Sequence, residues 1–210
     1  MTISDIKFSV IMTVYDNARE LEAKLPAFLA QSYEHDYEVI VVNESSTDDT
    51  DDVLKLQKQD DPHLYTTFLP KPNRNITRKR LALTIGVKAA KYEWIIFTDI
   101  HSSPSNSLWL KEIADAISSD TEILMGYFRK KEMQLQTYSD IDECRSLIFK
   151  TERSGVDGHS GRFCRYLRGK YDFIVVRKDK AHDVLKFYEQ DIKFFRRQGL
   201  RFNIMLHHIR

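Results

Sequence analysis

Trp94-Ile-Ile-Phe-Thr-Asp-Ile-His101 begins as an apolar run too short for an independent helix and stops abruptly at a carboxylate and an imidazole. Such a run reads as a buried strand with a polar tip. In open α/β sheets ligands collect beyond the carboxyl ends of the strands. Asp99 and His101, two apart in extended chain, can therefore face one cation together. A carboxylate with an imidazole suits Mn²⁺ and tolerates Mg²⁺ less well. The same residues also read as a strand end closed by a turn, with Ser102, Ser103 and Pro104 supplying the turn chemistry. The pair alone does not decide between the two readings.

Upstream, residues 76–90 carry Leu81, Leu83, Ile85, Val87 and Ala89-Ala90 and predict a helix that delivers the chain to this strand. Its first turns hold Arg78, Lys79 and Arg80, cations that oppose the helix dipole at that end. A bound phosphate gives them a reason to be there; a solvated basic loop over Lys71 to Arg80 is the plain alternative. Further back, Leu64 to Leu69 is a weaker strand candidate. Tyr37-Glu-Val-Ile-Val-Val42 is a short buried run, ended by Asn43-Glu-Ser-Ser-Thr-Asp-Asp-Thr50, whose Ser, Thr and Asp cap a helix with Val53, Leu54 and Leu56. Phe8 to Tyr15 is another β-rich run, ending at Asp16-Asn17. Leu21, Leu25, Phe28 and Leu29 follow at helical spacing, with Pro26 predicting a kink or break. Two strand-turn-helix units in succession imply a parallel sheet with right-handed crossovers.

Downstream, residues 109–117 read as a helix, 122–128 as a strand and 141–149 as a helix. Ser154-Gly-Val-Asp-Gly-His-Ser-Gly-Arg162 has the composition of a long loop able to act as a lid. A strand over 173–176, a helix over about 181–198 and a terminal strand over 200–206, ending in His207-His208, complete the chain.

At 210 residues with 42% hydrophobic side chains the chain suits one well-cored domain. Its 32 Lys and Arg nearly cancel its 31 Asp and Glu, so no overall field points to nucleic acid. Cys144 and Cys164 form neither a disulfide framework nor a zinc pattern, which favours reduced thiols in the cytoplasm. No signal pattern or membrane-length apolar run is present, so no transmembrane segment is expected.

Four blocks in order resemble the family 2 glycosyltransferases, inverting enzymes of the GT-A fold. SVIMTVYDNARELEAKLPAFLAQSY (9–33) is similar to that family's opening strand, Tyr-Asn turn and helix, and EVIVVNESSTDDT (38–50) to its Val-Asp-Asp-Gly-Ser-x-Asp segment. GVKAAKYEWIIFTDIHSSP (86–104) looks like the helix and strand leading to its Asp-x-Asp, and Tyr188 to Arg197 like its Glu-Asp block followed by an Arg. The resemblance implies an α/β, nucleotide-diphospho-sugar transferase fold. It would be a single Rossmann-like domain over 1–210, with a mostly parallel central sheet flanked by helices. Residues 1–101 would form the nucleotide-sugar-binding half and 102–210 the acceptor-side half.

Carried over residue by residue, Thr13, Tyr15 and Asp16 would line the nucleotide site, and Glu44 would accept the imide N–H of uracil. Asp99 and His101 would hold Mn²⁺ or Mg²⁺ on the diphosphate, with His207 or His208 as a third ligand; strand alternation allows only one of the two. Asp191 would be the general base that takes the acceptor hydroxyl proton. Asp-Ile-His stands where Asp-x-Asp is commoner, Asn43 replaces the first acid of the nucleotide pair, and Gln190 replaces a Glu beside Asp191. Losing that Glu relieves like-charge repulsion on Asp191. The family's Arg before the central strand falls on Leu83, which moves its phosphate role to Arg80 and Lys79 one turn earlier, with Arg78 beside them in the cofactor-binding set.

The implied function is metal-dependent, inverting transfer of a hexosyl group from a nucleotide diphosphate donor, a UDP-sugar, to a saccharide or lipid-linked acceptor in polysaccharide or glycoconjugate synthesis. It would take place in the cytoplasm, at the inner face of the membrane where the acceptor is lipid-linked. Two alternatives stand beside it: a nucleotidyltransferase, disfavoured because residues 14–20 hold no glycine for a phosphate loop, and a non-catalytic nucleotide-sugar or carbohydrate binding module.

Overall fold

The computed structural model describes residues 5–70, 78–119, 121, 123–128, 172–186 and 202–207. Seven strands, β1 (Phe8–Val14), β2 (Tyr37–Asn43), β3 (Leu64–Phe68), β4 (Trp94–Thr98), β5 (Ile123–Phe128), β6 (Phe173–Arg177) and β7 (Phe202–His207), form one sheet in the order β3-β2-β1-β4-β6-β5-β7. Neighbours run parallel except at β6, which is antiparallel to both β4 and β5. The sheet is therefore mostly parallel, as expected, and β5 to β7 continue the surface begun by β1 to β4. Five helices are described: α1 (Ala18–Leu29), α2 (Thr50–Asp60), α3 (Arg78–Ala89), α4 (Trp109–Ala116) and α5 (Lys178–Lys186). None of the described helices is long and apolar enough to cross a membrane.

Every residue of β1, β2 and β4 is buried, the pattern of strands covered on both faces. Alternation divides them between two cores. Phe8, Val10, Met12, Val39, Val41 and Ile96 meet Leu21, Leu25 and Phe28 of α1 and Trp109 and Ile113 of α4. Ile11, Ile40, Val42, Ile95 and Phe97 meet Ala82 and Leu83 of α3 and Val184 and Leu185 of α5. One expectation is corrected. Helix α1 runs unbroken through Pro26, whose own carbonyl accepts the Ala30 N–H at 2.9 Å. Proline removes only one helical bond, and four buried apolar side chains hold the rest of α1 on the sheet. Leu56 lies on the solvent face of α2, 59% exposed, while Leu54 alone of the three apolar residues is fully buried.

At the amino end of the parallel strands a buried carboxylate locks the α3–β4 connection. Glu38 Oε1 accepts the Ser9 hydroxyl and the Lys91 N–H, both at 2.7 Å, and Ser9 Oγ in turn accepts the Tyr92 N–H at 3.2 Å. At the other end, Gly126 of β5 sits opposite Phe173 of β6, whose ring lies across the glycine and meets Trp109 edge-on at 5.2 Å. A Cβ on Gly126 would fall 1.9 Å from Phe173 Cζ. The ring is fully buried and has no free volume to enter. Gly126→Ala is expected to cost about 1–3 kcal/mol by overpacking, a fall of about 2–12 °C in Tm for a chain of this size. An unchanged melting curve would mean that the ring yields freely.

Cys144, Cys164, the expected helix over 141–149, the glycine-rich stretch 154–162, the 188–197 block and His208 lie outside the described residues.

Candidate active site

The carboxyl ends of β1, β2 and β4 lie side by side, and the segments leaving them are tied to one another. Glu44 continues the β1–β2 ladder by one bond, its N–H reaching Val14 O at 2.9 Å, and it is only 9% exposed. Asn43 is also buried; its Oδ1 accepts the Ser46 N–H at 2.9 Å, so the residue in the first acid's place shapes the turn. Thr13 is buried near the end of β1, paired with Val42. Beyond it Tyr15 is 48% exposed, presenting its ring at the edge.

Asp16 and Ser45 hold φ of 50° and 61° without being glycines. Such left-handed residues persist only where their surroundings fix them, and they cluster at functional sites. The Asp16 N–H reaches Ser46 Oγ at 3.0 Å and its Oδ1 accepts the Thr47 N–H at 2.6 Å, clasping the two loops. A second clasp runs from the Ala18 N–H to Asp48 Oδ2 at 3.0 Å, while Asp48 Oδ1 takes the Thr50 hydroxyl at 2.5 Å. Desolvation works to raise the Asp48 carboxyl, but bonds from the Thr50 hydroxyl and the Ala18 and Thr50 amides outweigh it and hold it below the ordinary aspartate value. The lowered value ties this clasp to the ionised acid. Its stabilisation is complete above the ordinary carboxylate range and fades as pH falls through the lowered one.

Of the three cations expected on α3, Arg78 is the one turned into this edge. Its guanidinium lies 5.3 Å from the centre of the Tyr15 ring and donates to the main-chain carbonyl of Glu44, while its buried Nε has no partner among the described residues. Arg78 thus ties the start of α3 to the segments that leave β1 and β2. Arg80, two residues on, is exposed, and Lys79 is half-buried. Helix α3 has no acid in its first turn to neutralise them.

Strand β4 ends at Thr98, so Asp99 and His101 lie on a turn and not in extended chain. Asp99 Oδ1 accepts the His101 N–H at 2.9 Å, and Ile100 between them is buried while His101 is exposed. Strand end and polar turn are therefore both present. Ser102 is spent elsewhere, its hydroxyl reaching Asp172 Oδ1 at 2.8 Å. The Asp172 carbonyl accepts the Thr98 hydroxyl at 3.0 Å, which places this acid beside the turn because β6 runs antiparallel to β4. Sequence reasoning missed Asp172 and Lys24, whose Nζ donates to His101 O at 2.6 Å. Only the strand order could have revealed the first. The second sits 77 residues from its acceptor on a helix face, where nothing distinguishes it from a solvated lysine.

The donor set fits a divalent cation in part. Asp99 keeps one carboxylate oxygen clear of its turn bond, and the exposed His101 ring adds a nitrogen, leaving the other positions of an octahedral ion to ligand oxygens and water. No group of three His, Cys, Asp or Glu side chains suited to a metal occurs among the described residues. His207 ends β7 at the same edge of the sheet, opposite Phe128, with β6 and β5 between it and β4. Asp191 lies outside the described residues.

Residues 9–166 match the family model described as Glycosyl transferase family 2. A curated relative, chondroitin synthase from Escherichia coli, is 23% identical over 141 residues, covering 67% of this chain and 20% of that protein. Among solved structures, a mannosyltransferase from Pyrobaculum calidifontis, in complex with GDP-Man and Mn²⁺, matches 97% of this chain and 57% of its own, at 16% identity and a TM-score of 0.65. S. aureus TarS 1-349, in complex with UDP, matches 95% of this chain and 58% of its own, at 18% identity and a TM-score of 0.60. The chain spans about a fifth of the curated relative and under two thirds of either solved chain. These likenesses show the GT-A fold. Together with the family match over most of the sequence, they establish that the chain belongs to glycosyl transferase family 2.

Proposed function

We propose that the chain transfers a hexosyl group from a UDP-sugar to a hydroxyl of a saccharide or lipid-linked acceptor, with inversion at the anomeric carbon, in polysaccharide or glycoconjugate synthesis. The observation that carries this reading is Arg78, seated over the Tyr15 ring and on the Glu44 carbonyl one strand away from the Asp99 turn. An aromatic ring, a buried carboxylate and a fixed cation beside a carboxylate–imidazole pair suit a base, its imide N–H and a diphosphate in that order.

In this scheme Thr13, Tyr15 and Asp16 line the nucleoside pocket, Glu44 accepts the uracil imide N–H, and Arg78, with Lys79 and Arg80 behind it, faces the phosphates. Asp99 and His101 would hold Mn²⁺ or Mg²⁺, with His207 the candidate for a third ligand. When bound, the cation neutralises charge on the departing diphosphate. The acceptor oxygen attacks the anomeric carbon from the face opposite the nucleotide, the bond from that carbon to the diphosphate oxygen breaks, and Asp191 takes the hydroxyl proton. Residues 1–101 serve the donor and 102–210 the acceptor within one domain, in the cytoplasm and at the inner membrane face for a lipid-linked acceptor.

Incubation with Mn²⁺ and a panel of nucleotide sugars tests the reading. UDP-sugars should slowly yield UDP without any acceptor, as a transferase leaks sugar to water. Donor-induced thermal stabilisation with no nucleotide release would instead identify a binding module. Glu44→Ala should weaken UDP binding far more than inorganic pyrophosphate binding, measured by titration calorimetry; equal losses would confine Glu44 to shaping the loop.

A further inference from the structure

Helix α1 bridges the two halves of the candidate site. Its first residues are clasped to the nucleotide-side loop through Ala18 N–H and Asp48, and its far end is bonded to the segment following the Asp99 turn. Ser32 N–H reaches Ser107 O at 2.7 Å, Gln31 Nε2 reaches Asn106 O at 3.3 Å, and Gln31 Oε1 accepts the Leu110 N–H at 3.3 Å. Between these anchors, Lys24 Nζ donates to His101 O at 2.6 Å. Lys24 is half-buried as a residue and its bond to His101 is open to solvent, while its neighbour Leu25 is fully buried and α1 is held on the sheet by Leu21, Leu25, Phe28 and Leu29. The Lys24 main chain therefore stands on a packed helix.

We propose that Lys24 is a positioning residue for the metal-binding turn. It fixes the His101 main chain so that the imidazole and the Asp99 carboxylate present one face to the cation. The inference rests on the donor and metal reading above, and it deepens that reading by assigning a residue from the first helix to the far end of the site. Two constraints on one three-residue turn support it: the Asp99 carboxylate draws in the His101 N–H, while Lys24 holds the His101 carbonyl. Released from Lys24, the carbonyl keeps no other partner among the described residues, and the exposed imidazole is free to swing with its backbone. Groups that orient a metal ligand without touching the metal typically contribute about 10- to 100-fold in metal affinity.

The test measures the Mn²⁺ concentration that half-saturates the UDP-dependent rise in Tm of the purified chain, for the parent, Lys24→Met and Lys24→Arg. Methionine keeps the apolar stem on α1 and removes the donor; arginine keeps a donor of similar reach. The expected result is a rise of about 10-fold or more for Lys24→Met, substantial recovery in Lys24→Arg, and an unchanged Tm for all three without ligand. Equal half-saturation in parent and Lys24→Met would overturn the inference while leaving the donor reading intact. A rise matched by an equal loss of metal-free UDP affinity would also overturn it, since Lys24 would then be acting on the nucleotide itself. If the parent shows no Mn²⁺-dependent response to UDP, the donor reading fails first and the inference falls with it.

Discussion

Asp191→Asn is expected to lower sugar transfer by about 10²- to 10⁴-fold, the usual range for losing a general base, while donor affinity barely moves. Asparagine keeps the size and most of the hydrogen bonding of aspartate but cannot take a proton. The expectation rests on the order of the sequence: Asp191 follows Gln190 in the fourth of four family-like blocks, ahead of Phe194 and Phe195. It lies beyond the matched segment, which ends at residue 166. Single-turnover transfer together with calorimetric UDP titration separates the possible outcomes. Transfer at the parental rate would move the base elsewhere, with Asp157 and His159 the next residues to replace. Joint collapse of binding and transfer would make Asp191 structural.

Asp99→Ala should have the second largest effect. The residue lies one position past β4, so the five buried residues Trp94–Thr98 keep their packing and the apo protein should melt as the parent does. Its carboxylate orders the turn through the His101 N–H and is also the stronger of the two proposed cation ligands. Losing both roles should weaken Mn²⁺-dependent UDP binding by about 10²-fold or more, beyond the loss typical of a residue that only orients a ligand. His101→Ala, which leaves the carboxylate in place, should cost less. UDP binding with the same Mn²⁺ dependence in Asp99→Ala would remove this turn from the site.

Most of the sheet was legible because its strands are short, continuous apolar runs closed by polar turns, as at Val39–Val42 and Ile95–Phe97. Their burial on both faces leaves no competing pattern. The break expected at Pro26 failed because tertiary burial of Leu21, Leu25, Phe28 and Leu29 outweighs one lost helical bond. Leu56 of α2 is exposed, as isolated surface leucines ordinarily are. At the site, the structure brings the motif residues Tyr15, Glu44, Arg78, Asp99 and His101 to one edge. It then adds partners that no local pattern carries. Arg78 reaches Tyr15 and Glu44, Lys24 reaches His101 and Ser102 reaches Asp172 across long stretches of chain, contacts fixed by strand order. The left-handed conformations of Asp16 and Ser45 were equally hidden, since neither position carries the glycine that usually signals them.

In the proposed function a nucleoside diphosphate and its cation occupy the carboxyl edge of β1, β2 and β4. A crystal structure of the chain with UDP and Mn²⁺, using the anomalous signal of manganese to locate the ion, tests it most directly. One manganese peak is expected within bonding distance of both the Asp99 carboxylate and the His101 imidazole, with the uracil ring against Tyr15, its imide N–H on Glu44 and Arg78 at the phosphates. A manganese ion bound away from Asp99 and His101, or UDP seated at any other edge of the sheet, would contradict it.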